Sequence, residues 1–529
     1  MLFSTAWASA LAFAGTVLAA ATPPLPSAAN DSCSESLASL DLPSAWFSNT
    51  TCSGNARQTC SILQYLFPSN ETFTGGSQYY EPLVEVLYSE VCWKDPACFV
   101  TPNTSEEVST VMRVLTATNT KFAVRSAGNL DIPGFNAVGS DGVVIALQNL
   151  NKKVLSADKQ YATIGTGLNW RSIYSWIEPY GVQIVGGREP RVGAGGFLLG
   201  GGIALFNDKY GLGMDQIVRY EVVLTNGTVV NATINENADL YKSLKGGLSN
   251  FGIITEFEVM TSDVVDINYE VTLYSPNSTK AVLKAYIDFL HENNNGTGDA
   301  SVQIEVTQNY TLIFFGHVGH VSSTPEFEPF RSISVLKTFI APTNGTVSSL
   351  LFATAGQSGQ AGSSESPGSY YGTSLSHTIP DAKLTLEAYD AYLAAASTLE
   401  AGMAMIFAPQ GFTAGTVRAG KERNGGNLLG LYEGPQMWHD VYITLPDVDQ
   451  YAAAQQAISS WSSTITQKAT DEGVFLPFIY SNNGNADSKV LAGYGEENFN
   501  FIKETAKKYD PQGVMQTLQN DGFLIRKEE

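Results

Sequence analysis

Cysteine, histidine and positive charge are all scarce in this 529-residue chain. There are 5 cysteines and 5 histidines, and 30 Lys and Arg stand against 51 Asp and Glu, a formal charge of −21. No basic patch is available to neutralise a phosphate backbone, so no nucleic-acid partner is expected. Beyond the N-terminus no stretch approaches the roughly 20 uninterrupted apolar residues of a spanning helix, so no membrane span is expected either. A Walker loop is missing, because Gly-Lys-Ser/Thr occurs nowhere. The glycine-rich run VGAGGFLLGGG (192–202) lacks the Gly-x-Gly-x-x-Gly spacing and downstream acid of a dinucleotide fingerprint. Metal binding is not expected. Cys92 and Cys98 have no histidine nearby, and His317 and His320, three apart on an expected strand, face opposite sides. His377 and His439 belong to no recognisable pattern.

What is present begins with MLFSTAWASALAFAGTVLAAA (1–21), uncharged, mostly apolar and closed by small residues, as in a cleaved secretory signal. All five cysteines (Cys33, Cys52, Cys60, Cys92, Cys98) fall early in the chain, and ten Asn-x-Ser/Thr sequons occur, at Asn30, Asn49, Asn70, Asn103, Asn226, Asn231, Asn277, Asn295, Asn309 and Asn344. Together they predict a disulfide-bonded glycoprotein in the secretory pathway, extracellular or in a secretory or vacuolar compartment. Five cysteines leave one thiol over and allow 15 two-bridge arrangements, among which the sequence does not choose.

The remaining 43% hydrophobic and 11% aromatic residues are ample for packed cores, and the length exceeds that of one core. After a cysteine-bearing lead-in (22–91), β-branched runs alternate with helical patterns over 92–264. FAVRSA, GVVIAL and YATIG read as strands; SEEVSTVMRVLTAT and NWRSIYSWIEPYG read as helices, the first with Ser105 as N-cap and Glu106 and Glu107 in its opening turn. From 265 to 473 longer alternating strands and amphipathic helices predict an antiparallel sheet covered by helices on one face. The Gly/Ser stretch 357–372 reads as a loop. No 20–50-residue repeat is apparent.

Two side-chain-poor turns stand out, VRSAGN (124–129) and the run from Val192. A strand that ends in Ser126-Ala127-Gly128 offers successive N–H groups with no Cβ in the way, an anion nest. Gly193, Gly195, Gly196 and Gly200–Gly202 would let a second backbone segment lie along a flat or extended ligand.

The ordered motifs VRSAGN, GVVIAL, GTGLNW, GGREPRVGAGGFLLGGG, KYGLGMDQI, ADLYKSLKGGLSNFGIIT and IYSNN…KKYDPQGVMQTL resemble the berberine-bridge-enzyme-like flavoproteins. These have an FAD-binding domain of p-cresol-methylhydroxylase/vanillyl-alcohol-oxidase type. The resemblance covers about 92–265 and 474–524. It implies an α+β fold in which a two-subdomain FAD-binding domain packs against the antiparallel-sheet substrate domain, and 474–529 returns to the FAD domain. It also implies that Arg125, Ser126, Ala127, Gly128 and Asn129 form the pyrophosphate-binding loop, through backbone N–H groups and the Ser126 hydroxyl. Gly187, Val192, Gly193 and Gly196 would belong to the second flavin-facing loop, Gly252 and Ile254 to the adenine-side strand, and Asn482 would lie near the flavin.

Where the family commonly has a flavin-linked histidine this chain has Asn129, and where it commonly has a flavin-linked cysteine it has Glu189. Neither side chain can make those bonds, so FAD is expected to be held without covalent links and to be a weaker oxidant. Glu189 is expected to pair with Arg188 or Arg191. Tyr480, two residues before Asn482 on an expected strand, would share its face and act as catalytic base. A second tyrosine, common after that asparagine, is replaced by Asn483. The expected activity is that of a monomeric FAD-linked oxidase of a specialised metabolite, a small-molecule substrate, with O2 as acceptor. A redox-neutral isomerase or cyclase on the same fold is the alternative.

Overall fold

The computed structural model describes residues 54–68, 71–354 and 369–529, together with Leu40 and Leu42. The expected signal, Cys33, Cys52, and the sequons at Asn30, Asn49 and Asn70 lie outside the described residues, as does 355–368. Ser369–Thr378 is a strand, so the end of the expected Gly/Ser loop is regular structure. It is pinned along its whole length to Gln436–Leu445.

Three sheets organise the chain. In the first, Thr72–Phe73, Cys98–Val100, Gly142–Ala146 and Lys121–Arg125 lie side by side, the last three parallel. Gly142–Ala146 is buried throughout, as its unbroken apolar sequence requires of a central parallel strand. Helix Ser105–Thr118 covers this sheet, but its N-cap is Thr104, not Ser105. The extended backbone of Thr104 lets its Oγ1 accept the Glu107 N–H at 3.2 Å, which makes Ser105 the first helical residue. A disulfide ties Cys60, in helix Ala56–Leu66, to Cys98, and Cys92 is a buried free thiol.

The second sheet is antiparallel, in the order Lys153–Leu155, Tyr161–Gly165, Ile253–Ser262, Ile217–Val223, Val229–Thr233, with Gln183–Ile184 added to Ile253–Ser262. The third has eight strands, with Ala300–Val306, Ala404–Phe412 and Gln436–Leu445 near its centre. Its alternation sorts side chains between two faces. Val302, Ile304, Phe407, Met437, Val441 and Ile443 pack under helices Thr279–Glu292, Lys383–Ala396 and Tyr451–Asp471. Gln303, Glu305, Gln410, Asp440 and Tyr442 take the opposite face and line a cavity. Among the described residues no helix is long and apolar enough to cross a membrane.

The C-terminal segment returns to the first sheet. Phe122 donates its N–H to the Leu518 carbonyl (2.9 Å) and accepts from Asn520 N–H (2.7 Å), while the Asn520 amide reaches the Gly134 carbonyl at 2.9 Å. Buried Asp510 holds the turn before it, accepting from Thr225 Oγ1 (3.0 Å) and from the N–H groups of Val514 (3.0 Å) and Met515 (2.7 Å). Removing that carboxylate leaves three donors unsatisfied. Asp510→Ala is therefore expected to lower stability by about 3 kcal/mol or more in denaturant titration; a change below about 0.5 kcal/mol contradicts this anchoring role.

Candidate active site

A cavity of about 510 Å³ runs between the three sheets, and the residues expected to hold FAD or act beside it line it, from Arg125–Asn129, Gly187, Val192, Gly193 and Gly196 to Gly252, Ile254, Tyr480 and Asn482; Gly200–Gly202 do not. Strand Lys121–Arg125 ends at its wall, and the following turn passes through Gly128, whose φ of +77° suits glycine. The backbone N–H groups of Ser126, Ala127, Gly128 and Asn129 find no acceptor among the described residues. Four successive donors at the wall of a cavity fit the phosphate oxygens of an extended dinucleotide. The side chains of the turn are otherwise engaged. Ser126 donates its hydroxyl to the Thr166 carbonyl at 2.6 Å, so its proton is not free for a ligand as expected. Arg125 is turned away, bonded to the Leu83 carbonyl at 2.7 Å and stacked over Phe99 at 5.1 Å, and burial lowers its pKa to about 10.

The second glycine segment is not loop throughout, because Gly193 caps a short helix, Ala194–Leu199, and the start of this helix is close-packed against the turn. A Cβ at Gly193 would lie 2.7 Å from Ala127 Cβ and Ser126 Oγ, and one at Gly195 would lie 2.5 Å from Thr166 Cγ2. Gly187 is pressed on Trp170 (2.4 Å), and Gly252 on the Val223 carbonyl (2.5 Å). These glycines let protein meet protein. Gly196 differs, since a Cβ there meets nothing within 4 Å and would project into open space beside the cavity. Val192 and Ile254 complete the walls; their carbonyls accept from Trp170 N–H (3.1 Å) and Thr166 Oγ1 (2.8 Å).

Asn129 and Glu189 both line the cavity. Glu189 Oε1 accepts from Arg191 Nε at 3.2 Å, and Arg188 is left to a different partner, the Gln410 amide oxygen, at 2.9 Å.

Tyr480 and Asn482 meet, though not as strand neighbours, because Ser481–Asn483 is a 3₁₀ turn. The turn folds Asn482 Nδ2 back to within 3.1 Å of the Tyr480 oxygen and 3.2 Å of the Phe197 carbonyl. A Cβ at Gly200 would lie 2.0 Å from Asn482 Oδ1, so that glycine is required by the asparagine. The Tyr480 oxygen also accepts Ile203 N–H at 3.1 Å. Burial raises its pKa above the usual tyrosine range, against the pull of those two donors and of Arg188. With two donors already at the oxygen, its own proton is the group left for a ligand.

Sequence reasoning missed Arg188 and Asp440. Asp440 is buried, its Oδ1 has no hydrogen-bond partner among the described residues, and burial raises its pKa to about 7 despite the Arg188 charge. The signal was a single acid in the alternating strand QMWHDVYITL, at a position where it must face away from the helices.

No histidine lines the cavity. His377 and His439 share a bond of 2.9 Å beneath the helices, and burial depresses the pKa of both. His317 ends strand Thr311–Val318 and bonds the Val318 carbonyl, while His320 lies beyond the strand on the Gly345 carbonyl, so the expected alternation between them does not apply. No cluster of metal-ligating side chains occurs among the described residues.

Residues 96–233 match the FAD binding domain family. The chain is 41% identical over 477 residues to the FAD-dependent monooxygenase macF of Penicillium terrestre, covering 90% of each protein. It is also 41% identical over 464 residues to the FAD-dependent monooxygenase yanF of Aspergillus niger, covering 88% of this chain and 79% of the relative. In fold it is similar to the wild-type BBE-like 1 of Physcomitrella patens (TM-score 0.73, 18% identity, 88% and 99% covered). It is likewise similar to a glucooligosaccharide oxidase of Acremonium strictum (TM-score 0.71, 18% identity, 87% and 98% covered), which carries 6-S-cysteinyl, 8α-N1-histidyl FAD. The free amides at residues 126–129, the cavity beside them and nine-tenths coverage at 41% identity together make this chain a member of the berberine-bridge-enzyme-like FAD-linked oxidoreductases, with an FAD-binding domain of p-cresol-methylhydroxylase type.

Proposed function

We propose that the protein oxidises a small specialised metabolite, with FAD held reversibly and O2 as electron acceptor, after export through the secretory pathway. The observation that carries this reading is the convergence of a buried carboxyl, a buried phenol and a guanidinium on one cavity that also meets the free amides of residues 126–129. FAD, when bound, supplies the two-electron acceptor. The backbone donors at 126–129 grip its phosphates, and Gly196 leaves room for close approach. Asn129 and Glu189 face the cavity without a group able to bond it covalently.

In this reading Asp440 removes the substrate proton. Its pKa of about 7 is suited to a base at neutral pH, whereas burial keeps the Tyr480 phenol protonated. Tyr480, fixed by Ile203 and Asn482, gives its hydrogen bond to the reacting oxygen and orients it. The catalytic contact expected of Tyr480 is kept and the base moves to Asp440.

A redox-neutral isomerase or cyclase is the second reading, favoured because Asp440, Tyr480 and Arg188 form an acid–base set that is complete without a redox partner. Anaerobic mixing of substrate with the flavin-loaded protein separates the two, since oxidation bleaches the flavin band and isomerisation does not.

For a substrate that bleaches the flavin, one hydrogen peroxide is expected per product, and isotopically heavy O2 leaves no label in the product. Label in the product means monooxygenation, the activity named for the 41% identical relatives, and contradicts the oxidase reading. Because Asp440 works as the carboxylate, kcat/KM is expected to rise with pH and level off above about 7. Asp440→Asn should lower kcat/KM by roughly 10²–10⁴-fold and abolish the rise; an unchanged profile contradicts the assignment.

A further inference from the structure

Seven of the ten sequons fall among the described residues, and in all seven the asparagine is exposed. Of the other twenty-two described asparagines only Asn55, Asn119, Asn151, Asn235 and Asn500 are exposed. Sequons that arose by chance would share the burial of ordinary asparagines. These are confined to the surface, where a bulky sugar can be attached without disturbing a core.

Five of the seven lie outside the strands. The other two are Asn231, in strand Val229–Thr233, and Asn344, in strand Val335–Thr346. Each of these strands ends a sheet and pairs with one neighbour alone, Ile217–Val223 and Asp266–Tyr274 respectively. The remaining sheet ends offer little open backbone. Thr72–Phe73, Lys153–Leu155 and Phe475–Leu476 are two or three residues long, and Lys121–Arg125 is bonded by Leu518 and Asn520 of the C-terminal segment. The two long open ends are therefore the two that carry a sequon.

Both ends also show apolar side chains to solvent. Val229 and the adjoining Ile234 are exposed at the first, and Val335, Leu336 and Phe339 at the second. A long strand edge with exposed apolar residues is a template for pairing with another chain. Lys337 and Pro342 blunt part of the second edge, but no charge or proline interrupts Val229–Thr233. At both sequons the asparagine is held by its oxygen. Asn231 Oδ1 accepts from Arg219 Nη1 at 3.1 Å, and Asn344 Oδ1 accepts from Asn268 Nδ2 at 2.8 Å. Neither Nδ2, the atom that would carry a sugar, has an acceptor among the described residues.

We propose that Asn231 and Asn344 carry N-linked oligosaccharides that close the two long open sheet edges and keep the chain from pairing edge to edge with a second copy. In the attachment, Nδ2 displaces diphosphate from the anomeric carbon of a lipid-diphosphate-linked oligosaccharide. The N–C bond forms as the C–O bond breaks, the lipid diphosphate leaves, one amide proton is released, and no electron is transferred. The inference rests on the export proposed above, because donor and transferase belong to the secretory pathway; it does not depend on the redox chemistry.

The full chain, with its own N-terminus, is produced in a fungal host and collected from the medium. Its N-glycans are released enzymatically in heavy-oxygen water, which leaves a labelled aspartate at each occupied position, and the peptides are read by mass spectrometry. Label is expected at Asn231 and Asn344. Light scattering is expected to give the mass of one glycosylated chain for the wild type. For Asn231→Gln combined with Asn344→Gln the mass should at least double as concentration rises. Adding Ile234→Lys and Phe339→Lys to that pair should restore the one-chain mass, and Asn277→Gln combined with Asn295→Gln should never lose it. Should the first pair fail to fold, glycan trimming of the folded wild type by an endoglycosidase gives the same reading. An exported chain bare at Asn231 or Asn344, a one-chain mass after both sugars are lost, or equal association of the Asn277 and Asn295 pair would each overturn the proposal and leave export standing. A chain retained in the cell without sugar at any sequon contradicts export, and this inference falls with it.

Discussion

The structure depends on the contact between the turn after strand Lys121–Arg125 and the start of the short helix Ala194–Leu199. Gly193 and Gly195 lie so close to Ser126, Ala127 and Thr166 that a single methyl at either position would overlap them. That contact fixes the turn after strand Lys121–Arg125 from behind while leaving its N–H groups unpaired on the cavity side. Unpaired backbone donors are costly in a protein interior, and their persistence here is explained by an anionic ligand. The Ser126 hydroxyl bonded to Thr166 and the Arg125 guanidinium bonded to Leu83 serve the same end, stiffening the turn.

The polar side chains of the cavity come to this frame from elsewhere. Tyr480 and Asn482 arrive on the segment that the Phe122–Leu518–Asn520 pairing and Asp510 clamp to the first sheet. Asp440 and Gln410 come from the open face of the eight-stranded sheet, whose other face is sealed by helices. Burial acts on the acids in one direction, raising both Asp440 and Tyr480, while Arg188 opposes it at each. The cavity therefore gathers a carboxyl and a phenol that burial keeps protonated to higher pH beside a cation whose hydrogen bond goes to a neutral amide, that of Gln410.

Much of the frame was legible because it is local. Strand runs, the helix after Thr104 and the glycine turns are short-range signals that periodicity and missing side chains reveal. The ordered motifs around them resembled the family to which the chain belongs, and Asn129 and Glu189 stood out as departures from it. The site chemistry was less legible because it is assembled from distant segments. Asp440 differs from an ordinary strand acid only in which face it takes, and Arg188 only in what it fails to touch. The Ser105 cap missed by one residue because Thr104 and Ser105 are both capping residue types and serine is the stronger of the two, whereas the extended backbone that a cap requires is at Thr104. The pairing of Tyr480 with Asn482 was foreseen for the wrong reason, since a 3₁₀ turn and not strand alternation joins them.

The central claim is that paired side-chain-poor turns hold FAD by reversible contacts alone. Its most direct measurement is the absorbance of purified protein before and after acid precipitation, with the mass of the intact polypeptide recorded alongside. The account predicts a yellow protein whose colour passes wholly to the supernatant and a chain that carries no flavin mass. Colour retained in the pellet, or a protein that stays colourless when titrated with FAD, would contradict it.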